Sequence, residues 1–203
     1  MTPKVRRVAC VGDSITEGAA IDDRSLSYPA LLGRSLDASW LVENFGKRRS
    51  TLLSKGNDPY CRQPEFAAAL AFRPDVVVFL LGSNDAKPVN WIHGREFDAD
   101  YRALVRQFLD LPSRPVVFAC LPIPCFPPGN FTIDGGVIQD QIIPRIRAIA
   151  RELALPIIDL NAPFQGRPEL TLDCVHPTEA GSRLIAEIVR HALLSKIKPT
   201  RDD

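Results

Sequence analysis

What the chain lacks narrows its function before any motif is read. Its 203 residues contain no apolar run of transmembrane length, and the charged start Met1-Thr2-Pro3-Lys4-Val5-Arg6-Arg7 is not followed by an apolar stretch of signal-peptide length. Charge of one sign is missing too. The 25 Lys+Arg and 24 Asp+Glu leave a formal net charge of +1, without a basic block. The electrostatic footprint of a protein that neutralises many phosphates is therefore absent, and neither nucleic acid nor a membrane surface is an expected partner. Cys10, Cys61, Cys120, Cys125 and Cys174 are odd in number and form no Cys-x-x-Cys pair, which excludes a zinc ribbon or thioredoxin-like motif and predicts reduced thiols. Taken as it stands the chain is expected to be cytoplasmic, or secreted if a leader has been removed. Glycine is outnumbered by proline, 12 to 18.

What is present is the composition of an ordinary globular protein, 45% hydrophobic and 24% charged. At roughly 150 residues per domain, the length predicts a single domain over 1–203 with a core large enough to need neither disulfide nor metal. Short apolar runs at residues 8–11, 40–45, 75–81, 115–121 and 156–160 read as strands buried on both faces. Helical spacing occupies the intervals 28–36, 64–72, 97–109, 137–153 and 178–194. In the fourth of these, Ile138, Ile142, Ile146, Ile149 and Leu153 recur at helical steps along one face. Strand and helix alternate, so the expected fold is a three-layer α/β/α sandwich around a five-stranded parallel sheet, with the flavodoxin-like order 2-1-3-4-5.

Ligands in such folds bind beyond the carboxyl ends of the strands. The segments there are Gly12-Asp13-Ser14, Gly46, Gly82-Ser83-Asn84-Asp85 and a proline-rich loop from Pro122 to Asn130. Ser14 has two readings. With Glu17 three residues on it fits a capping box at a helix start. It also fits a nucleophile, provided that an imidazole accepts its proton and a carboxylate orients that imidazole. Asp173-Cys174-Val175-His176-Pro177 supplies both groups on one loop. An oxyanion needs aimed donors, and the Ser14 amide, the Gly46 amide and the Asn84 side chain each follow a different strand. Gly46 as a turn glycine and Asn84 as a helix cap are the plainer alternatives.

Taken in order, Ser14 in Gly-Asp-Ser-Ile, the glycine after strand two, Asn84 in Gly-Ser-Asn-Asp and Asp173/His176 in Asp-x-x-His resemble the four blocks of the SGNH (GDSL-type) hydrolases. The resemblance implies Ser14 as nucleophile, His176 as base, Asp173 as its orienting acid, and Ser14, Gly46 and Asn84 as the oxyanion hole, with no metal and no cofactor. Ser27-Tyr28-Pro29, Asn44-Phe45-Gly46, Asp58-Pro59-Tyr60 and the segment from Asn84 to Trp91 further resemble bacterial esterases of the carbohydrate-acetylesterase kind. A small acyl ester, acetyl above all, is then the expected substrate, with Tyr28, Tyr60 and Trp91 as candidate sugar-stacking residues. A lysophospholipase or thioesterase of the same family, or a binding module of the same fold, are the alternatives. Two departures stand out. Where such relatives commonly carry Ser-Gly after the block-two glycine this chain has Lys47-Arg48-Arg49, and the usual Asp-Gly-x-His-Pro reads Asp173-Cys174-Val175-His176-Pro177. Glycine is lost at both places, which bears on local backbone geometry, and the expected consequence is either lowered activity or a pocket charge altered to prefer an acidic substrate. Because imidazole titrates near neutral pH, activity is expected to fall on acidification.

Overall fold

The computed structural model describes residues 5–128 and 131–197. Gly129 and Asn130, the end of the proline-rich loop, lie outside the described residues, as do Met1, Thr2, Pro3 and Lys4. Strands β1 (Arg6–Gly12), β2 (Trp40–Gly46), β3 (Val76–Leu80), β4 (Val116–Leu121) and β5 (Ile157–Asp159) form one sheet in the order β2-β1-β3-β4-β5. Every neighbouring pair is parallel, in registers such as Gly12 opposite Gly46 and Cys10 opposite Val78. This is the order expected from five strands separated by helical segments.

The sheet is covered on both faces because its strands alternate between two cores. Ala9, Val11, Val77, Phe79, Val117 and Ala119 face one cluster, which is closed by α3 (Pro64–Ala71), α5 (Phe97–Leu109) and α7 (Ile143–Glu152). Val8, Cys10, Val76, Val78, Phe118 and Cys120 face the other, which is closed by α2 (Tyr28–Ser35) and α8 (Glu179–Lys196). Phe108 and Phe79 are fully buried and pack edge to face. Truncating a phenylalanine so placed costs about 3–5 kcal/mol. The expected 137–153 helix is broken in character: it runs as α6 (Gly135–Val137), a π-helical turn (Ile138–Ile142) and then α7. Pro144 has no amide to give the preceding turn, which fits a change of helical register there.

The remaining short helices lie at the carboxyl edge of the sheet: α1 (Ser14–Glu17) after β1 and α4 (Pro88–Trp91) after β3. All five cysteines are free thiols. Among the described residues no helix is long and apolar enough to cross a membrane.

Candidate active site

At the end of β1 the chain turns straight into α1, and Asp13 rather than Ser14 caps the helix, its Oδ1 accepting the Ile15 amide at 3.0 Å. Ser14 is the first helical residue. Its side chain is thus released from capping, and its amide is one of the helix-end donors without an intrahelical acceptor. Glu17 does not close a capping box either. Its carboxylate takes the Arg48 amide at 2.6 Å and the Arg48 guanidinium at 2.9 Å. Gly18 ends the turn in the left-handed region, at φ 77°, so the whole elbow is one tight helical turn.

The Asp173–His176 loop reaches this turn from the opposite end of the chain. His176 Nε2 lies 2.9 Å from Ser14 Oγ, and His176 Nδ1 lies 2.8 Å from Asp173 Oδ2. Asp173 Oδ1 also accepts the His176 amide at 2.8 Å. Burial opposes ionisation of Asp173, but the His176 amide and ring and the Val175 amide outweigh it and hold the carboxyl below the usual carboxylate range. An ionised carboxylate can only accept, so His176 Nδ1 donates and Nε2 presents its lone pair to the Ser14 hydroxyl. Ser14 is 8% exposed, open enough for a small reactant.

Asn84 lies beside them, buried, after β3. Its Nδ2 donates to the Ser50 carbonyl at 3.2 Å and keeps a second N–H. Asn90 holds it from behind, its own amide nitrogen donating to the Asn84 carbonyl at 2.7 Å. The two oxygens of Asp85 accept the Leu52 and Leu53 amides at 2.9 and 2.7 Å and tie the loop after β2 to the loop after β3. Burial pushes its carboxyl up to about 7, against those amide bonds and with buried Asp13 adding to the rise. Asp13 itself is pushed up to about 6 by burial, opposed by the Ile15 amide and by nearby His176 and Lys87.

These groups open on a cavity of about 210 Å³ lined by Ser14, Asn84 and His176, by Arg48, Arg49 and Lys87, and by Ala19, Phe131 and Ile133. Phe131 sets its ring edge to face on His176, 5.3 Å between centroids. A larger, open groove of about 810 Å³ between α7 and the end of β5 is lined by Arg147, Arg151 and Asp159 and shares no residue with the Ser14 cavity.

Four expectations change. Gly46 does not line the cavity, and its amide already donates to Asn44 Oδ1 at 2.8 Å. It is a glycine because a Cβ there would run into the backbone of Thr16 and Glu17. After β2 the residue that lines the cavity is instead Arg49, at φ 71°, whose amide has no acceptor among the described residues. Tyr28 is 1% exposed, its hydroxyl 3.2 Å from Thr16 Oγ1 beneath α1. Tyr60 is fully buried and donates to the Phe45 carbonyl at 2.6 Å. Trp91 donates to Gln141 Oε1 at 3.0 Å and packs on Phe97, outside the cavity lining. None of the three offers a ring face to a sugar in this pocket. Lys87 is the cavity residue that sequence reasoning left without a role, and Arg49 is one it noted only for its charge. The missing glycine at Arg49 was the available signal for the latter. Among the described residues, no group of three or more His, Cys, Asp or Glu is placed to hold a metal ion.

Residues 10–184 match the GDSL-like Lipase/Acylhydrolase family. An acetylxylan esterase of Xylanibacter ruminicola is 39% identical over 92% of this chain. The chain spans only 43% of that relative's length. Among solved structures, the lipase/acylhydrolase from Enterococcus faecalis superposes with a TM-score of 0.79 at 23% identity, over 97% of this chain and 100% of that one. The acetyl xylan esterase AlAXEase superposes at 0.72 with 24% identity, over 93% and 100%. At those identities the two structures speak for the fold.

Proposed function

The chain belongs to the GDSL-like Lipase/Acylhydrolase family, and we propose that it is a serine esterase that hydrolyses short-chain acyl esters, acetyl esters of carbohydrates in particular. The observation that carries this reading is the continuous line from Asp173 through His176 to Ser14, with steps of 2.8 and 2.9 Å, at the mouth of a small cavity. Ser14 Oγ attacks the ester carbonyl carbon as its proton passes to His176 Nε2. The imidazolium so formed is steadied by Asp173. Negative charge on the former carbonyl oxygen falls to the Ser14 amide, the Asn84 side-chain N–H and the Arg49 amide. Collapse of the intermediate breaks the bond to the alcohol oxygen, which leaves with the proton from Nε2. Water then gives its proton to the same nitrogen while its oxygen attacks the acyl carbon. The carboxylic acid departs, and the proton returns to Ser14 Oγ.

Cavity size supports the short acyl group. About 210 Å³ is below the roughly 300–1,000 Å³ of sites that enclose drug-sized ligands, which disfavours the long chain of a lysophospholipid. The acetylxylan esterase relative supports acetyl. The test is hydrolysis of a chromogenic acetate ester by the protein and by Ser14→Ala, with an organophosphonate to label Ser14 and mass to locate the adduct. We expect the variant to lose a factor on the order of 10⁴ or more in kcat, with the adduct on Ser14 alone. Equal rates in the two proteins would refute the assignment, and labelling without turnover would favour a binding module. Rate should also fall steeply as the acyl chain is lengthened beyond acetate.

A further inference from the structure

The cavity beside Ser14 carries more positive charge than hydrolysis of a neutral ester requires. Three cationic side chains line it, Arg48, Arg49 and Lys87, and their surroundings differ. Arg48 is neutralised by Glu17 in a close pair at 2.9 Å. Arg49 meets Asp58 at 3.2 Å, both side chains well exposed. Lys87 has no such partner: among the described residues its ammonium makes neither an ion pair nor a hydrogen bond. Its backbone is fixed, with its amide on the Asn84 carbonyl at 3.3 Å and its carbonyl receiving the Asn90 and Trp91 amides at 2.8 Å each. The side chain therefore springs from a rigid point three residues after Asn84. It is half-buried, and burial, with Arg49 nearby, draws its pKa downward more than the carboxylates of Asp13 and Asp58, with which it forms no ion pair, raise it. A partly desolvated, unpaired ammonium is unfavourable unless something anionic completes it.

Resting on the esterase reading above, we propose that Lys87, assisted by Arg49, recognises an anionic group on the substrate, so that the preferred ester is one whose alcohol half carries a carboxylate near the acyl group, as in an acetylated uronic acid. A carboxylate there replaces the water lost by the ammonium with a charge-assisted hydrogen bond. It also orients the sugar, a task that Tyr28 and Tyr60 cannot perform from the core.

Binding and turnover are measured separately, so that the two readings can fail separately. The first measurement is calorimetric affinity of the Ser14→Ala protein for an acetylated methyl glucuronoside and for the matching uncharged methyl glucoside. The anionic ligand is expected to bind on the order of tenfold more tightly at low ionic strength, with the ratio shrinking in molar salt. Adding Lys87→Met should bring the ratio near one, and Lys87→Arg should restore most of it. Equal affinities in the Ser14→Ala protein, or a ratio that Lys87→Met leaves unchanged, overturn the inference. Turnover of both acetates by the unmodified protein is the second measurement. If the neutral ester is hydrolysed but affinities are equal, only the anion site is refuted. Selective binding without turnover of either ester refutes the esterase and leaves the anion site standing.

Discussion

Two loops meet over Ser14, and each holds a residue other than glycine in the left-handed backbone region: Arg49 at φ 71° and Cys174 at φ 69°. That conformation costs an L side chain roughly 1–2 kcal/mol, and both positions are where related esterases commonly carry glycine. The two loops carry the cost differently. Around Arg49 the chain is pinned from outside, with the Arg48 amide on Glu17 and the Leu52 and Leu53 amides on Asp85. Around Cys174 the loop pins itself and its neighbour: the Leu172 amide meets the His176 carbonyl at 2.8 Å, and the Cys174 carbonyl takes the Phe126 amide at 3.0 Å. In the first loop the group we assign to the reaction is a backbone amide, which leaves the side chain of Arg49 to shape the pocket it lines. In the second it is a side chain, His176, and the Cys174 thiol lies 4.0 Å from the Pro127 carbonyl.

The sharpest break of that comparison is a pair of variants on the oxyanion side. Asn84→Ala removes a side-chain donor and should lower kcat on a neutral acetate ester about a hundredfold. Arg49→Gly keeps the amide and its left-handed backbone while deleting the guanidinium, so its loss should stay below about tenfold. If Arg49→Gly falls as far as Asn84→Ala, the Arg49 side chain serves the chemistry and the division between a backbone loop and a side-chain loop collapses.

Much of the scaffold beneath these loops was legible in the amino-acid order, and the reason is physical. Parallel strands buried on both faces read as unbroken apolar runs, so the stretch 75–81 announced β3, and amphipathic spacing over 97–109 matched α5. Ser14, Asp173 and His176 are brought within hydrogen-bond distance as the order of blocks implied. Arg49 could not be read directly, because a left-handed arginine leaves no mark of its own where glycine would have signalled the turn. The tyrosines misled because side-chain identity does not say which way a ring points. Tyr28 begins a helical face with Leu31 and Leu32, all three of them buried, and that spacing was the better guide. The helix-cap alternative for Ser14 failed for a similar reason: Asp13 and Ser14 both favour caps, and Asp13 takes the role.

The pinning of the Arg49 loop has its own pH signature. Burial raises the Asp85 carboxyl to about 7, above the ordinary value of about 3.9 in the unfolded chain. Between those values the folded protein binds a proton that the unfolded chain has released. This contribution is therefore fully present below about pH 4 and is lost as pH rises through about 7. Asp13, raised to about 6, acts in the same direction over a slightly lower range. Asp173, held low, loses its stabilisation only as pH falls below the ordinary carboxylate range. Thermal midpoints measured from pH 5 to 8 should decline, with Asp85 accounting for roughly 2–3 kcal/mol. Asp85→Asn should flatten the slope whatever its absolute stability. An unchanged slope would mean that the Arg49 loop is not held by a titrating group.

The smallest effect separates backbone strain from chemistry. Cys174→Gly relieves a left-handed L residue, worth roughly 1–2 kcal/mol, and adds back about 0.4–1 kcal/mol of unfolded-chain entropy. A net gain of about 0.5–1 kcal/mol follows, or about 1–4 °C in the midpoint of a chain this size. Arg49→Gly should gain no more, anywhere from about zero to the same amount, since the exposed ion pair it loses with Asp58 contributes at most about 1 kcal/mol. The two variants should therefore melt within about 4 °C of each other, neither below the parent, and differ in catalysis, Cys174→Gly staying within about twofold of the parent kcat because its side chain touches no reacting group. A fall in the midpoint of Cys174→Gly would show that the thiol packs the His176 loop against residues 126 and 127. Left-handed strain would then be a minor part of what distinguishes the two loops.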